Sequence, residues 1–317
     1  MTCKFAIPFL ISCWTCSTSG LQTSFKPPTF SLCKTCLHGS SAEDGASGIS
    51  GKPVGLFKRA KKTSEYESIV ADKFPGAITN KELVTRVVQV LRNRGFKTSD
   101  TLLATSLCCD ELARCLEEDF CKEYGNNFSL GGSAGFPFAG NTGFNVMTDH
   151  IPDDGSCLII FGPHVGVSKC GVVGKVERDG TNLIDDCCQS AVAASNYVKG
   201  ITDGGALIAR RSSGFGDLQQ AAVQNLLLPY GKRLSEAKDR MLTLPFALFD
   251  SQDQMMQDIV QKGAIGFKEK GGVLLGGIQI NTAPGTSDYF LPLRFVHINE
   301  DGETVEDLLT CLTSVWD

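Results

Sequence analysis

Residues 102–124 read LLATSLCCDELARCLEEDFCKEY, and the change of rhythm halfway along decides the fold. Leu102 to Cys108 is an apolar run of strand length. From Asp110 to Tyr124 the apolar side chains Leu112, Cys115, Leu116 and Phe120 fall on one helical face instead. A strand running straight into an amphipathic helix is the repeating step of an α/β fold.

The same alternation extends in both directions. Upstream, a helix is expected over about 63–73. Thr79-Asn80-Lys81-Glu82 then forms a capping box, Leu83, Val84, Val87, Val88 and Leu91 recur at helical spacing, and Gly95 closes the run. Downstream, Asn126 to Gly143 is rich in glycine and phenylalanine but lacks phosphate-loop spacing, and reads as a close-packed structural loop. Cys157 to Phe161 predicts a buried strand entering Gly162-Pro163-His164. Cys170 to Val176 predicts another strand, Asp185 to Val198 an alanine-rich helix, and Leu218 to Leu228 and Met241 to Lys262 two more helices. Val273 to Ile280 and Tyr289 to Ile298 read as late strands. The expectation is an α/β domain over 51–317, with a central, mostly parallel sheet flanked by helices.

Bulk properties narrow the function. The net charge is −5, and the only dense basic run, Lys58 to Lys62, sits in a polar linker, which argues against nucleic acid as a partner. No apolar stretch approaches the roughly 20 residues of a spanning helix. Residues 1–50 read as a targeting leader and linker. The first acidic residue is Glu43, Lys4 precedes an apolar run from Phe5 to Trp14, and a Ser-rich segment follows. A signal-like start with a transit-like continuation suggests a two-part address to a plastid. Cys13-x-x-Cys16 and Cys33-x-x-Cys36, with 16 residues between the pairs, offer a rival reading as a structural zinc ribbon.

Fourteen cysteines are many for a chain large enough to fold without disulfides. Three segments place metal-capable residues at strand ends or helix starts: Cys108-Cys109-Asp110-Glu111, Pro163-His164-Val165, and Asp185-Asp186-Cys187-Cys188. Sites in open α/β sheets form at the carboxyl ends of strands, so the three could converge there. Two thiolates and an imidazole suit Zn2+, and three protein ligands leave a fourth position for water, the pattern of a catalytic centre. Either member of each vicinal cysteine pair could serve. Asp110 could orient the nucleophile, cap the following helix, or do both. Of the other histidines, His38 lies in the leader, His150 in a polar loop and His297 in a late strand.

The Cys-x-Asp-Glu set after a strand, the Asn-Phe-Ser…Gly loop, the Pro-His after the next strand and a Cys 24 residues beyond that His together resemble the low-CO2-inducible protein B/C family. The resemblance covers roughly residues 55–315. Members are similar to β-class carbonic anhydrases in fold and zinc site. The resemblance implies zinc ligands Cys108, His164 and Cys188, a catalytic Asp110, a homodimer, and interconversion of CO2 and bicarbonate. The β-class pattern pairs that aspartate with an arginine two residues on, where this chain has Leu112; Arg114, or alternatively Arg94, is the expected partner. Phe136, Phe138 and Phe144 are expected to line a CO2 pocket. Two other readings stand beside this one: a zinc-stabilised subunit of a carbon-concentrating complex without turnover, and a thiol redox protein using the vicinal cysteines.

Overall fold

The computed structural model describes residues 65–178, 180, 183–204 and 217–313. The leader, and with it Cys13, Cys16, Cys33 and Cys36, lies outside the described residues. The first elements are α1 (Glu65–Lys73), β1 (Ile78–Thr79) and α2 (Asn80–Arg92). The capping box works as expected: the Glu82 N–H donates to the Thr79 hydroxyl at 3.3 Å, and α2 buries Leu83, Val84, Val87, Val90 and Leu91. Burying each such side chain is worth about 1.5–3 kcal/mol.

β2 (Thr101–Ser106) leads through a 3-10 turn at Glu111–Ala113 into α3 (Arg114–Tyr124), followed by β3 (Asn127–Ser129). Next come α4 (Gly140–Asp149), β4 (Ser156–Phe161), β5 (His164–Gly166), β6 (Lys175–Glu177) and β7 (Ile184–Asp186). The chain continues through α5 (Gln189–Thr202), α6 (Leu218–Leu227), α7 (Gly231–Ser235) and α8 (Arg240–Gly263). It closes with β8 (Gly272–Asn281), β9 (Tyr289–Ile298), β10 (Thr304–Asp307) and α9 (Leu309–Thr313).

Among the described residues the main sheet has eight strands, ordered β1-β9-β8-β4-β2-β3, with β10 on β9 and β5 extending along β8. The β3, β2, β4 and β8 pairings and the β5–β8 pairing are parallel. β9 runs antiparallel to β8 and forms an antiparallel edge with β1 and β10. β4 is buried at every position, as expected of a parallel strand covered on both faces. Its residues alternate between two cores: Leu158 and Ile160 join α2, α3, α5 and α6 on one side, and Cys157, Ile159 and Phe161 join α1 and α4 on the other. The long helix α8 serves both, giving Leu244 and Leu248 to the first core and Met256 and Ile259 to the second.

Three local expectations are corrected. The Cys170–Val176 strand is confined to β6, which starts at Lys175. Residues 184–186 are not helical but pair with β6 as an antiparallel ribbon, so α5 begins only at Gln189. The glycine-rich loop ends early, because α4 starts at Gly140 and drives Phe144 and Met147 into the second core, outweighing poor glycine propensity.

Candidate metal centre

β2 and β4 are in parallel register, with Ser106 opposite Phe161, so both end at the same edge of the sheet. Cys108 lies two residues past the first end and His164 three past the second. Tight backbone packing makes this possible. At Gly162, φ is 149° and a Cβ would lie 1.8 Å from the Gly277 carbonyl oxygen. At Gly135, φ is 86° and a Cβ would lie 2.4 Å from the Gly162 carbonyl oxygen. Only glycine fits such close approaches.

Cys188 arrives from another direction. It is the N-cap of α5, delivered by the β6–β7 ribbon, which is tied to β5 of the sheet by Gly166 N–H to Cys187 O at 3.1 Å and Gly174 N–H to Gly166 O at 2.8 Å. The ligand atoms of Cys108, His164 and Cys188 lie within 4.8 Å of one another, all buried. The Cys108 and Cys188 sulfurs are 3.6 Å apart. The vicinal partners diverge: Cys109 is exposed, and Cys187 turns its sulfur to His164 Nδ1 at 3.4 Å.

The donor set fits a metal ion on one further ground. His164 Nε2 is buried without a hydrogen-bond partner, although a buried polar nitrogen left unsatisfied is costly. Its other nitrogen, Nδ1, is engaged by Asn281 Oδ1 at 2.9 Å. Contact with Cys188, followed by burial, pushes the Cys108 thiol up to about 12. Burial opposes charge on the His164 ring, but the sulfurs of Cys187 and Cys108 outweigh it and draw its pKa upward. A bound cation opposes both protonated forms, since metal ligands must be thiolates and neutral imidazole.

Asp110 caps the 3-10 turn, accepting from the Leu112 N–H at 3.1 Å, and still reaches the site, with Oδ2 4.0 Å from His164 Nε2. Its guanidinium partner is Arg178, just past the end of β6, which donates to Oδ1 at 3.2 Å and to Oδ2 at 3.1 Å. Burial works against the Asp110 carboxylate, but Arg178 and then His164 outweigh it and hold the group at about 2. Arg178 also pairs with Glu111.

The expected arginine partners are therefore corrected. Arg114 is turned along α3, donating to Glu117 at 2.9 Å and to the Cys108 carbonyl at 2.8 Å. Arg94 is held on Glu306 at 2.6 and 2.8 Å. Arg178 was hidden because it is 68 residues from Asp110 in sequence. No local pattern in the sequence singles it out.

A cleft of about 410 Å3 opens onto the centre, bordered by Cys108, Asp110, Arg178, Cys188, Ser133 and Ser190 among others. The expected phenylalanines do not border it. Phe136 and Phe144 are fully buried in opposite cores, and Phe138 packs against the first. Their apolar area is spent on folding.

Residues 77–299 match the family described as limiting CO2-inducible proteins B/C beta carbonic anhydrases. The crystal structure of PtLCIB4, a homolog of the limiting CO2-inducible protein LCIB, is 44% identical over 76% of this chain and 98% of that chain, with TM-score 0.71. A histidine-to-alanine mutant of PtLCIB4 is 43% identical over 78% of this chain and 99% of that chain, with TM-score 0.73. The limiting CO2-inducible protein LCIB itself shares the fold at 16% identity and TM-score 0.57, over 75% of this chain and 96% of that chain. Comparison with curated proteins returns no match.

Proposed function

Because the chain belongs to the limiting CO2-inducible protein B/C family of β-carbonic anhydrases, we propose that it is a zinc-dependent carbonic anhydrase interconverting CO2 and bicarbonate in an inorganic-carbon-concentrating system. The observation that carries the reading is the buried Cys108, His164 and Cys188 set with the Asp110–Arg178 pair beside it.

Cys108, His164 and Cys188 would hold the ion. Zinc supplies Lewis acidity that readies water as a nucleophile near neutral pH. The protein's own groups supply aim and charge control. Asp110, ionised at neutral pH, offers an oxygen that accepts a proton-bearing donor at the mouth of the centre, 4.0 Å from the ligand imidazole. Arg178 fixes that carboxylate with two parallel hydrogen bonds, a rigid and directional pairing. Such preorganisation is where most electrostatic rate enhancement originates.

The wider proposal is a homodimer whose residues 1–50 direct it to a plastid. The deciding experiment is stopped-flow CO2 hydration by zinc-loaded protein, with metal content measured on the same sample. About one zinc per chain and a rate that rises with pH around neutrality are expected. Stoichiometric zinc with no turnover would sink the catalytic reading and leave a zinc-stabilised subunit.

A further inference from the structure

Asn281 closes β8, 117 residues from His164 in sequence, and four contacts converge on its side-chain amide, the weakest from the Cys187 sulfur to Oδ1 at 3.8 Å. Its nitrogen donates to the Leu112 carbonyl at 3.0 Å and to Asp288 Oδ2 at 3.0 Å. Both partners are acceptors, so the nitrogen end is fixed where it is and the oxygen end must face His164. An amide oxygen cannot donate. At 2.9 Å from it, the imidazole Nδ1 must carry the hydrogen. That leaves the Nε2 lone pair bare, on the side of the ring that faces Asp110 Oδ2 and has no hydrogen-bond partner. Cys187 touches Nδ1 at the longer distance of 3.4 Å.

The same amide reaches the other half of the site. The Leu112 carbonyl belongs to the turn whose first residue, Asp110, accepts from the Leu112 N–H. Asp288, in turn, is anchored by the Thr282 N–H at 2.8 Å. We propose that Asn281 is a positioning residue: it sets the His164 tautomer for metal binding through Nε2 and keeps that ring in register with the turn that carries Asp110. The proposal rests on the metal-centre reading above. Its general basis is that partners of metal-bound histidines fix the ring and typically change metal affinity 10–100-fold when lost.

The test uses full-length protein labelled with 15N in histidine. In the metal-free state, at a pH where the His164 ring carries one proton, the Nδ1–H tautomer is expected. Asn281→Ala should mix the tautomers and weaken zinc binding about 10–100-fold, as read by competition with a chelator. Gln279→Leu is the structural control: Gln279 donates to the same Leu112 carbonyl at 3.2 Å without a bond to His164, so it should cost stability and leave the tautomer and zinc affinity alone. Asn281→Asp should weaken zinc by setting two carboxylates against each other, and adding Asp288→Asn should recover only the part lost to that repulsion, since an aspartate at 281 cannot donate to the Leu112 carbonyl. An Nε2–H tautomer in the wild type overturns the proposal, even if no variant folds. So does an Asn281→Ala protein with wild-type tautomer and zinc affinity. Because the tautomer is read without metal or substrate, an inactive protein with the Nδ1–H tautomer would defeat the carbonic anhydrase reading alone.

Discussion

The floor of the centre and its rim are built by different rules. Cys108 and Cys188 are 3% exposed and the His164 side chain 1%. They are placed by sheet ends, a helix start and glycine contacts that leave no slack. The rim is wetter and held by charge. The Asp110 and Arg178 side chains are each 14% exposed, and Glu111, which shares Arg178, is 68% exposed. A dry, preformed floor is suited to gripping an ion, because the cost of ordering its ligands is met by folding. A charged rim is suited to the chemistry, because its geometry depends on hydrogen bonds that differ between ground and transition states.

The comparison makes its strongest claim at the floor. Cys108→Ala, His164→Ala and Cys188→Ala should each take zinc from about one per chain to near zero in elemental analysis, and activity with it. Cys187→Ala should retain it; a Cys187→Ala protein without zinc beside a loaded Cys188→Ala protein would reassign the ligand.

At the rim the split should invert. Asp110→Asn should keep its zinc yet lose one to three orders of magnitude in hydration rate, about 1.4–4 kcal/mol of barrier. Arg178→Ala should follow it in direction, while Arg114→Ala and Arg94→Ala stay near the wild-type rate. Equal defects in Arg178→Ala and Arg114→Ala would blur the distinction, since Arg114 also touches the Cys108 carbonyl.

A smaller effect separates the rim's charge from its catalytic use. Asp110 titrates at about 2, below its ordinary 3.8. Its folded form is therefore favoured as the carboxylate, and the pair's stabilisation is complete above about pH 4 and lost as pH falls towards 2. In urea denaturation of the metal-free protein, wild type should exceed Asp110→Asn in stability near neutrality, and the gap should close across that window. A gap that persists at the acid end would mean the pair is held by packing. The least effect belongs outside both regions: removing residues 1–50 should leave folding, zinc content and rate unchanged. Loss of zinc on truncation would instead favour the ribbon of Cys13, Cys16, Cys33 and Cys36.

The floor was more legible in the sequence than the rim. Cys108 and His164 follow apolar runs whose strand character is local, so the sequence places their segments at the sheet edge, while the choice of Cys108 over Cys109 came from the family pattern. The α2 cap and the α8 helix were legible for the same reason. Cys188 was placed by family spacing, while its local setting was misread: Asp185 and Asp186 look like a helix start, but they pair with Val176 and Lys175 in the ribbon. Arg178 and Asn281 were missed because their roles exist only through contacts 68 and 117 residues away in sequence. The phenylalanines were misassigned since apolar side chains near a site cannot be told from core by sequence alone, and here core packing claims them.

The ribbon itself carries a consequence in time. Two short strands do not hold together unaided in water. Yet Arg178 directly follows β6, and β7 ends on the approach to Cys188, so one marginal unit carries both a rim residue and a floor ligand. Its amides should exchange with solvent sooner than those of β4 or β8, and capture of Cys188 by the ion should slow them together. An ion held by Cys188 would then stiffen the whole ribbon and, with it, the Arg178–Asp110 pair that the fold already makes.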